Sequence, residues 1–410
     1  MDDNSMTSQQ PAICPICSNG LRNQKIVSRP NAPVLQNVTL SDRAKALAFP
    51  TGRLEFVRCD QCGFVWNEAF DPDLIHYDSG YNNDVSSSAY YRAHLEEMAD
   101  NILAAVPQGE EIHYVEIGCG DGEFLRLVVE RAKGRCVSAV GFDPSYNSSK
   151  PLPQRARIHP TIFSPETCAL VPEETNIVCS RHTIEHIADV QMFARSLSSL
   201  ITNRERKLFI ETPDMDWILD HVAFQDFFYE HCALYTPRAI ATLLAQYGMT
   251  AKTRPVYFGQ YMWTEATLAE ASPADGSPAA PSQLPAANPE LADAYRQTSE
   301  RSLHKWHEFI KDRSAAGPIA LWGGASKGVT FALLIQSLAG QEPCLDCVID
   351  LNEAKQSCFL PVTGLPIVSP ETARQRQIST IIVMNPNYLD EIRDMVERMD
   401  WPARIVALNE

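Results

Sequence analysis

Residues His113 to Leu125 constrain the fold most. They read His-Tyr-Val-Glu-Ile-Gly-Cys-Gly-Asp-Gly-Glu-Phe-Leu. A strand-like apolar run ends at Glu116 or Ile117, and Gly118, Gly120 and Gly122 follow at alternate positions. Such glycines let the backbone turn tightly and approach a ligand closely. Helical residues run from Glu123 to about Ala132, and a second strand-like run, Val137 to Phe142, ends on Asp143. Asp143 lies 143 − 122 = 21 residues beyond Gly122. That distance suits an acid gripping ribose hydroxyls at the tip of the next strand of an α/β sheet.

The glycine spacing is Glu-x-Gly-x-Gly-x-Gly, not GxGxxG. Nicotinamide sites use their third glycine to bring a helix N-terminus to a pyrophosphate. S-adenosylmethionine (SAM) has no phosphate but carries an ammonium and a sulfonium, which an acid near the turn suits. The pattern favours SAM over NAD, with Glu116, Gly118, Gly120, Gly122 and Asp143 as cofactor candidates. The next strand-like run, Asn176 to Cys179, leads into Ser-Arg-His-Thr-Ile-Glu-His. Ligands sit at the carboxyl ends of strands in such sheets. His182, the sixth cofactor candidate, therefore faces the crevice or its rim with Glu185 and His186. The bland alternative is that Glu185 and His186 only orient the following helix.

Four of the twelve cysteines form two CxxC pairs, Cys14/Cys17 and Cys59/Cys62. Each pair makes a knuckle presenting two sulfurs. Two knuckles supply the four tetrahedral thiolates that Zn2+ takes at about 2.3 Å, with no position left for water. The expected site is structural zinc; the alternative is two unrelated pairs, one of them redox-active. Cys344 and Cys347 have no partner knuckle and read as core residues. The N-terminus, Met-Asp-Asp-Asn, is the wrong start for a signal peptide, and no run of about 18 apolar residues is present. Reduced thiols and a cytoplasmic location with no membrane association are expected. Lys plus Arg total 35 against 51 Asp plus Glu, a net charge of −16. Non-specific nucleic-acid binding needs a basic surface and is not expected.

Length and composition fit several domains. At roughly 150 residues per domain, 410 residues make two or three. A zinc-binding domain is expected over 1–80 and a SAM-dependent methyltransferase domain over 81–268. An Ala/Pro/Ser-rich linker and a helix follow over 269–314. A C-terminal Rossmann-like α/β domain occupies 315–410, opening on Pro318–Trp322, a glycine turn and Lys327. Lys327 has an ammonium to offer a phosphate-bearing substrate; alternatively this domain only shapes the cleft.

The chain resembles the class I SAM-dependent methyltransferases and, more specifically, the three-domain, zinc-containing sugar C-methyltransferases. Those enzymes methylate nucleotide-linked keto-deoxysugars. The stretches that carry the resemblance are the two knuckles, the glycine turn, Phe228-Tyr229-Glu230-His231, Trp322-Gly323-Gly324-Ala325-Ser326-Lys327-Gly328 and Ile349 to Gln356. The family segment corresponding to 228–231 is Tyr-His-Glu-His. The resemblance implies that His231 is the base and Glu230 its partner, and that His186 is another active-site histidine. Phe228 and Tyr229 depart from the family pattern; the enolate's donor is expected to be Tyr229, from the neighbouring position, or His186. The Tyr-rich stretch Ile75 to Tyr81 implies that Tyr77 or Tyr81 covers SAM or the sugar. The chemistry agrees: a histidine titrating near neutrality removes a proton alpha to a ketone, a carboxylate stabilises the imidazolium, and the resulting enolate attacks the methyl. The rival readings are an O- or N-methyltransferase of another small metabolite, a non-catalytic zinc-bearing interaction protein, and a nicotinamide oxidoreductase.

Overall fold

The structure is a computed structural model that describes residues 13–18, 23–38, 40–76, 88–270, 287–340 and 344–408. Three sheets organise it.

The first sheet is antiparallel. It contains β1 (Asn23–Pro33), β2 (Thr51–Cys59) and β3 (Val65–Asn67), and its fourth strand is the short segment Ala233–Leu234 from much later in the chain. Val65 pairs with Leu234 and Trp66 with Ala233. The residues just after His231 are thus bonded to the cysteine-bearing sheet, so the layers of the fold do not follow the simple cuts along the sequence. Leu54 and Phe56 of β2 are buried against Phe227, Tyr229, Leu234 and Tyr295.

The second sheet is built from β4 (Ile112–Ile117), β5 (Cys136–Phe142), β6 (Ala156–His159), β7 (Ile177–Arg181), β8 (Lys207–Pro213), β10 (Met249–Val256) and β11 (Tyr261–Leu268), β9 being the strand Ala233–Leu234 of the first sheet. Its seven strands run in the order β10-β11-β8-β7-β4-β5-β6. The pairs within β6-β5-β4-β7-β8 are parallel, and β11 runs antiparallel to both β8 and β10. Direction of winding reverses between β4 and β7. That switch point opens a crevice at the strands' carboxyl ends, where such sheets bind ligands. The strands beside the crevice are apolar runs because helices cover both faces. Val115, Ile117 and Val178 point into one buried cluster and Tyr114, Ile177 and Cys179 into the other.

The third sheet is fully parallel, in the order β14-β13-β12-β15-β16. Its strands are β12 (Ile319–Trp322), β13 (Cys347–Ile349), β14 (Ile367–Val368), β15 (Thr380–Val383) and β16 (Arg404–Ala407). Cys347 is buried in its core, as expected.

One long helix, Pro289–Ser314, joins the layers. Asn288 caps it and a proline occupies its first turn, where a missing N–H costs nothing. Ala292 and Tyr295 are buried in the first sheet's core, and Ile310 in the third's. The Ala/Pro/Ser-rich stretch before it lies largely outside the described residues. No helix among the described residues is long and apolar enough to cross a membrane.

Candidate active site

The three glycines of the turn are required for different reasons. All have positive φ: Gly118 at 74°, Gly120 at 51° and Gly122 at 76°. A Cβ on Gly118 would lie 1.9 Å from Thr183 Oγ1, and one on Gly122 would lie 2.6 Å from Ile158 Cδ1. A Cβ on Gly120 would meet nothing within 4 Å. Gly118 and Gly122 are therefore packing glycines, whereas Gly120 leaves its backbone bare toward open space. The Gly120 amide donates to Asp143 Oδ2 at 2.7 Å, while Asp143 Oδ1 accepts from the Ser145 amide and hydroxyl at 2.8 and 2.6 Å. Asp143 thus fixes the turn from the tip of β5. The third sheet repeats the device: the Gly324 amide donates to Asp350 Oδ2 at 2.8 Å.

Glu116 is 2 % exposed within β4. Burial lifts its carboxyl to about 8, with Arg181 opposing the shift. Its Oε2 has no hydrogen-bond partner among the described residues. Without a cation beside it, this acid is mostly protonated at neutral pH.

A buried ionic cluster closes the ends of β7 and β8. Glu211 is fully buried and accepts from Arg181 Nε at 2.6 Å and from His94. Burial opposes its charge, but Arg181, His94 and His182 hold its carboxyl well below the usual range. Arg181 also stacks its guanidinium 4.2 Å from the Phe124 ring. His182 follows β7 with a positive φ of 47° and sets its ring edge-on to Tyr261 at 4.6 Å. Only His182 of this group stands among the residues expected from the sequence. Glu211 is visible there as an acid at a strand end, but its cationic partners come from 30 and 117 residues away.

The histidine group lies where all three layers meet. His186 and His231 set their rings edge to face, 4.7 Å apart, and Phe228 packs on His231 at 4.9 Å. His186 Nδ1 lies 3.9 Å from Glu230 Oε2, and Glu230 Oε1 accepts from the Gln36 amide at 3.1 Å. Glu185, buried beneath them, accepts from Thr212 Oγ1 at 3.0 Å and sits 3.3 Å from His182 Nδ1. Burial works against its charge, yet His182, His231 and His186 hold its carboxyl down to about 2. His231 differs from the near-neutral base expected of it. Burial, then neighbouring His186, push it down to about 3, with Glu185 pulling the other way. It is a neutral imidazole throughout the physiological range. From the third layer, Ser326 Oγ accepts from Asn37 Nδ2 at 3.0 Å.

Two expected residues are not gathered into this group. Tyr229 is fully buried in the first sheet's core. Its hydroxyl accepts from the Asp71 amide at 2.8 Å and lies 3.3 Å from that residue's carbonyl. A bend lies at Tyr229–Glu230, and of the two expected donors His186, not Tyr229, stands beside the His231 ring. Lys327, expected to offer a phosphate its ammonium, is paired with Asp226 Oδ2 at 2.6 Å and reaches Gln260 Oε1 at 3.3 Å. Tyr77 and Tyr81 lie outside the described residues.

The four expected cysteines do converge. Cys14 Sγ lies 3.6 Å from Cys62 Sγ and Cys17 Sγ 3.5 Å from Cys59 Sγ, with all four sulfurs within 4.8 Å of one another. Tetrahedral bonds of about 2.3 Å place sulfurs roughly 3.8 Å apart, so the set fits one Zn2+. Side chains of the second layer hold the knuckles: Gln191 Nε2 donates to the Pro15 carbonyl at 2.8 Å and Gln246 Nε2 to the Ile16 carbonyl at 2.6 Å. Arg238 Nε donates to the Gln61 carbonyl at 3.0 Å.

Known proteins share this organisation in part. Residues 90–252 match the family model of a methyltransferase domain, and residues 283–408 match that of the C-methyltransferase C-terminal domain. The C-methyltransferase NovU of Streptomyces niveus is 24% identical over 382 residues, covering 90% of this chain and 88% of that protein. Among solved structures, an O-methyltransferase family protein from Burkholderia thailandensis is 14% identical with a TM-score of 0.35. It covers 45% of this chain, which spans 60% of that protein's length. The CurJ carbon methyltransferase is 13% identical, TM-score 0.34, covering 45% of this chain and 56% of its own. The two domain matches, joined by a relative spanning most of both chains, make this protein a SAM-dependent methyltransferase and support a C-methyltransferase.

Proposed function

We propose that the protein transfers the methyl of SAM to carbon, alpha to the ketone of a nucleotide-linked keto-deoxysugar, with His231 as the base. One observation carries the chemistry: a neutral, half-buried imidazole beside the Glu185 carboxylate and the His186 ring, with Glu230 behind His186, at the meeting of the three layers. SAM fits the glycine turn, where Gly120 faces open space and Glu116 has an orphaned oxygen awaiting a cation. Gly118, Gly120 and Gly122 with Asp143 would hold it, with His182 at the rim; it supplies the electrophilic methyl.

The remaining work falls to side chains. His231 takes the proton from the carbon beside the ketone. Glu185 and Glu230 stabilise the imidazolium that forms, which burial alone would disfavour. His186, 4.7 Å ring to ring from His231, serves as the donor for the enolate oxygen. Removing water from this junction strengthens each of these interactions. Lys327 is kept at the cleft by Asp226, ready to share its charge with a diphosphate. Four cysteines hold a structural Zn2+ that fixes the first sheet on the second. The sugar and its nucleotide rest on the family resemblance and on the glycine turn of the third sheet.

The base is tested by proton exchange without transfer. With S-adenosylhomocysteine and a nucleotide-linked 4-keto-6-deoxysugar in D2O, deuterium should enter beside the ketone and not do so with His231→Asn. Exchange at the wild-type rate in that variant would remove His231 from the role.

A further inference from the structure

We propose that Glu185, His186 and His231 form a second metal site that takes one divalent transition ion of the Zn2+ or Co2+ type through two imidazoles and a carboxylate. Each residue offers a ligand atom, and these atoms lie within 4.8 Å of one another. Bonds of about 2.0–2.2 Å to nitrogen and oxygen need donors roughly 3.3 Å apart. Small rotations of the two imidazoles close that gap.

One of the three ligands has a shielded atom that an ion would satisfy. Glu185 is fully buried, and among the described residues its Oε1 meets only His182 Nδ1, at 3.3 Å. His231 Nδ1 is shut off from solvent and without a hydrogen-bond partner among the described residues. A shielded nitrogen without a partner is costly in a protein interior, and a cation shared with the nearby Glu185 carboxylate satisfies it. The supporting bond is in place: Thr212 Oγ1 donates to Glu185 Oε2 at 3.0 Å and leaves Oε1 to ligate. Outer bonds of this sort orient ligating carboxylates.

The ligand set selects the metal. Two imidazoles and one carboxylate suit zinc, cobalt or nickel, whereas calcium and magnesium require oxygen cages. Three protein ligands leave a position open, unlike the closed four-cysteine cluster. The surrounding charge is favourable. Glu230 Oε2 stands 3.9 Å from His186, and the nearest cation facing the group from the third layer, Lys327, is neutralised by Asp226 at 2.6 Å. His182, on the same turn, is 3.3 Å from Glu185 and is the group the ion must displace or tolerate.

The binding site stands on geometry alone. Its consequence rests on the proposed role of His231: an ion on that imidazole takes the lone pair that would accept the substrate's proton, so occupancy inhibits. Cellular zinc would then restrain the enzyme through the same residues that perform the chemistry.

The test uses the tag-free full chain, purified with zinc and dialysed. Titration with Co2+ should add one equivalent beyond the metal held by the cysteines. Its visible spectrum should show nitrogen and oxygen ligation without a thiolate charge-transfer band. His231→Asn and Glu185→Gln should each lose this equivalent while keeping the cysteine-bound metal, which also reports that the variants fold. A wild type that takes no added equivalent, an added equivalent with thiolate character, or one retained in both variants overturns the site. Separately, saturating Zn2+ should suppress substrate proton exchange at least tenfold, reversibly with a chelator. Binding of the ion with exchange unaffected would leave the site standing and overturn its inhibitory role, which points back to the assignment of His231.

Discussion

A methyl group placed on each glycine of the turn separates packing from ligand binding. In Gly118→Ala the new Cβ lands 1.9 Å from Thr183 Oγ1 at a φ of 74°. The left-handed backbone costs roughly 1–2 kcal/mol for a residue with a Cβ. Thr183 must also move, and its hydroxyl donates to the Arg181 and Ile117 carbonyls at 3.0 and 3.3 Å. The hydroxyl has a single proton shared between them, so its weakening adds about 1 kcal/mol, for a total of roughly 2–3 kcal/mol. Gly120→Ala incurs only the backbone cost, because its Cβ meets nothing within 4 Å. Urea unfolding should therefore rank Gly118→Ala as clearly the less stable. Calorimetric titration with SAM should reverse the emphasis. Gly120→Ala projects its methyl into the space assigned to the cofactor and should weaken binding at least tenfold, about 1.4 kcal/mol. Thr183→Ala should restore part of the stability of Gly118→Ala, since it removes two of the three closest atoms. Wild-type SAM affinity in folded Gly120→Ala would refute the reasoning, because the ligand would then not approach this backbone.

Other consequences are equally direct. Tyr229→Phe should lose about 1 kcal/mol of stability, the net worth of its bond to Asp71, and keep wild-type turnover; a large fall in kcat would restore a catalytic tyrosine. Cys59→Ser should lose zinc, measured by mass spectrometry of the intact chain, and lower Tm by loosening the knuckles that Gln191, Gln246 and Arg238 hold. His231 and Glu185 each make the fold less stable in acid. His231 is held near 3 against about 6.5 in an unfolded chain, so the unfolded state binds the extra proton and stability falls as pH drops from about 6.5 toward 3. Glu185, held near 2, acts in the same direction below its unfolded value of about 4.3. Glu116, lifted to about 8, works the opposite way over this range, so the His231 contribution is read by difference: a change in Tm between pH 7 and 5 that is the same in wild type and His231→Asn would contradict the neutral imidazole. For the same reason, kcat/KM should show no loss attributable to His231 at the ordinary histidine value.

Much of this site is local in the chain and so was legible in it. The turn from Glu116 to Gly122 reads as strand, turn and helix because three alternate glycines admit no regular structure, and β4 and the helix Glu123–Arg131 occupy that span. The two CxxC knuckles are each a single tight turn, so their convergence needs only a chain able to bring them together. Legibility fails where a side chain's partner comes from far away. Glu211 looks like an ordinary strand-end acid until Arg181 and His94 are folded onto it. Lys327 reads as a free ammonium because Asp226, 101 residues earlier, gives no local sign of meeting it. Tyr229 is next to Glu230 in sequence, but one bend sends its ring into the first sheet's core. The downward shift of His231 arises from burial by three layers, which no motif encodes.

Methylation at carbon through a base-generated enolate is tested by incubating the full chain with methyl-labelled SAM and a panel of nucleotide-linked 4-keto-6-deoxysugars in D2O, read by NMR and mass spectrometry. A labelled methyl is expected on the carbon beside the ketone, with deuterium exchange at that carbon lost in His231→Asn. A label found on oxygen or nitrogen, with no exchange beside the ketone, would contradict it.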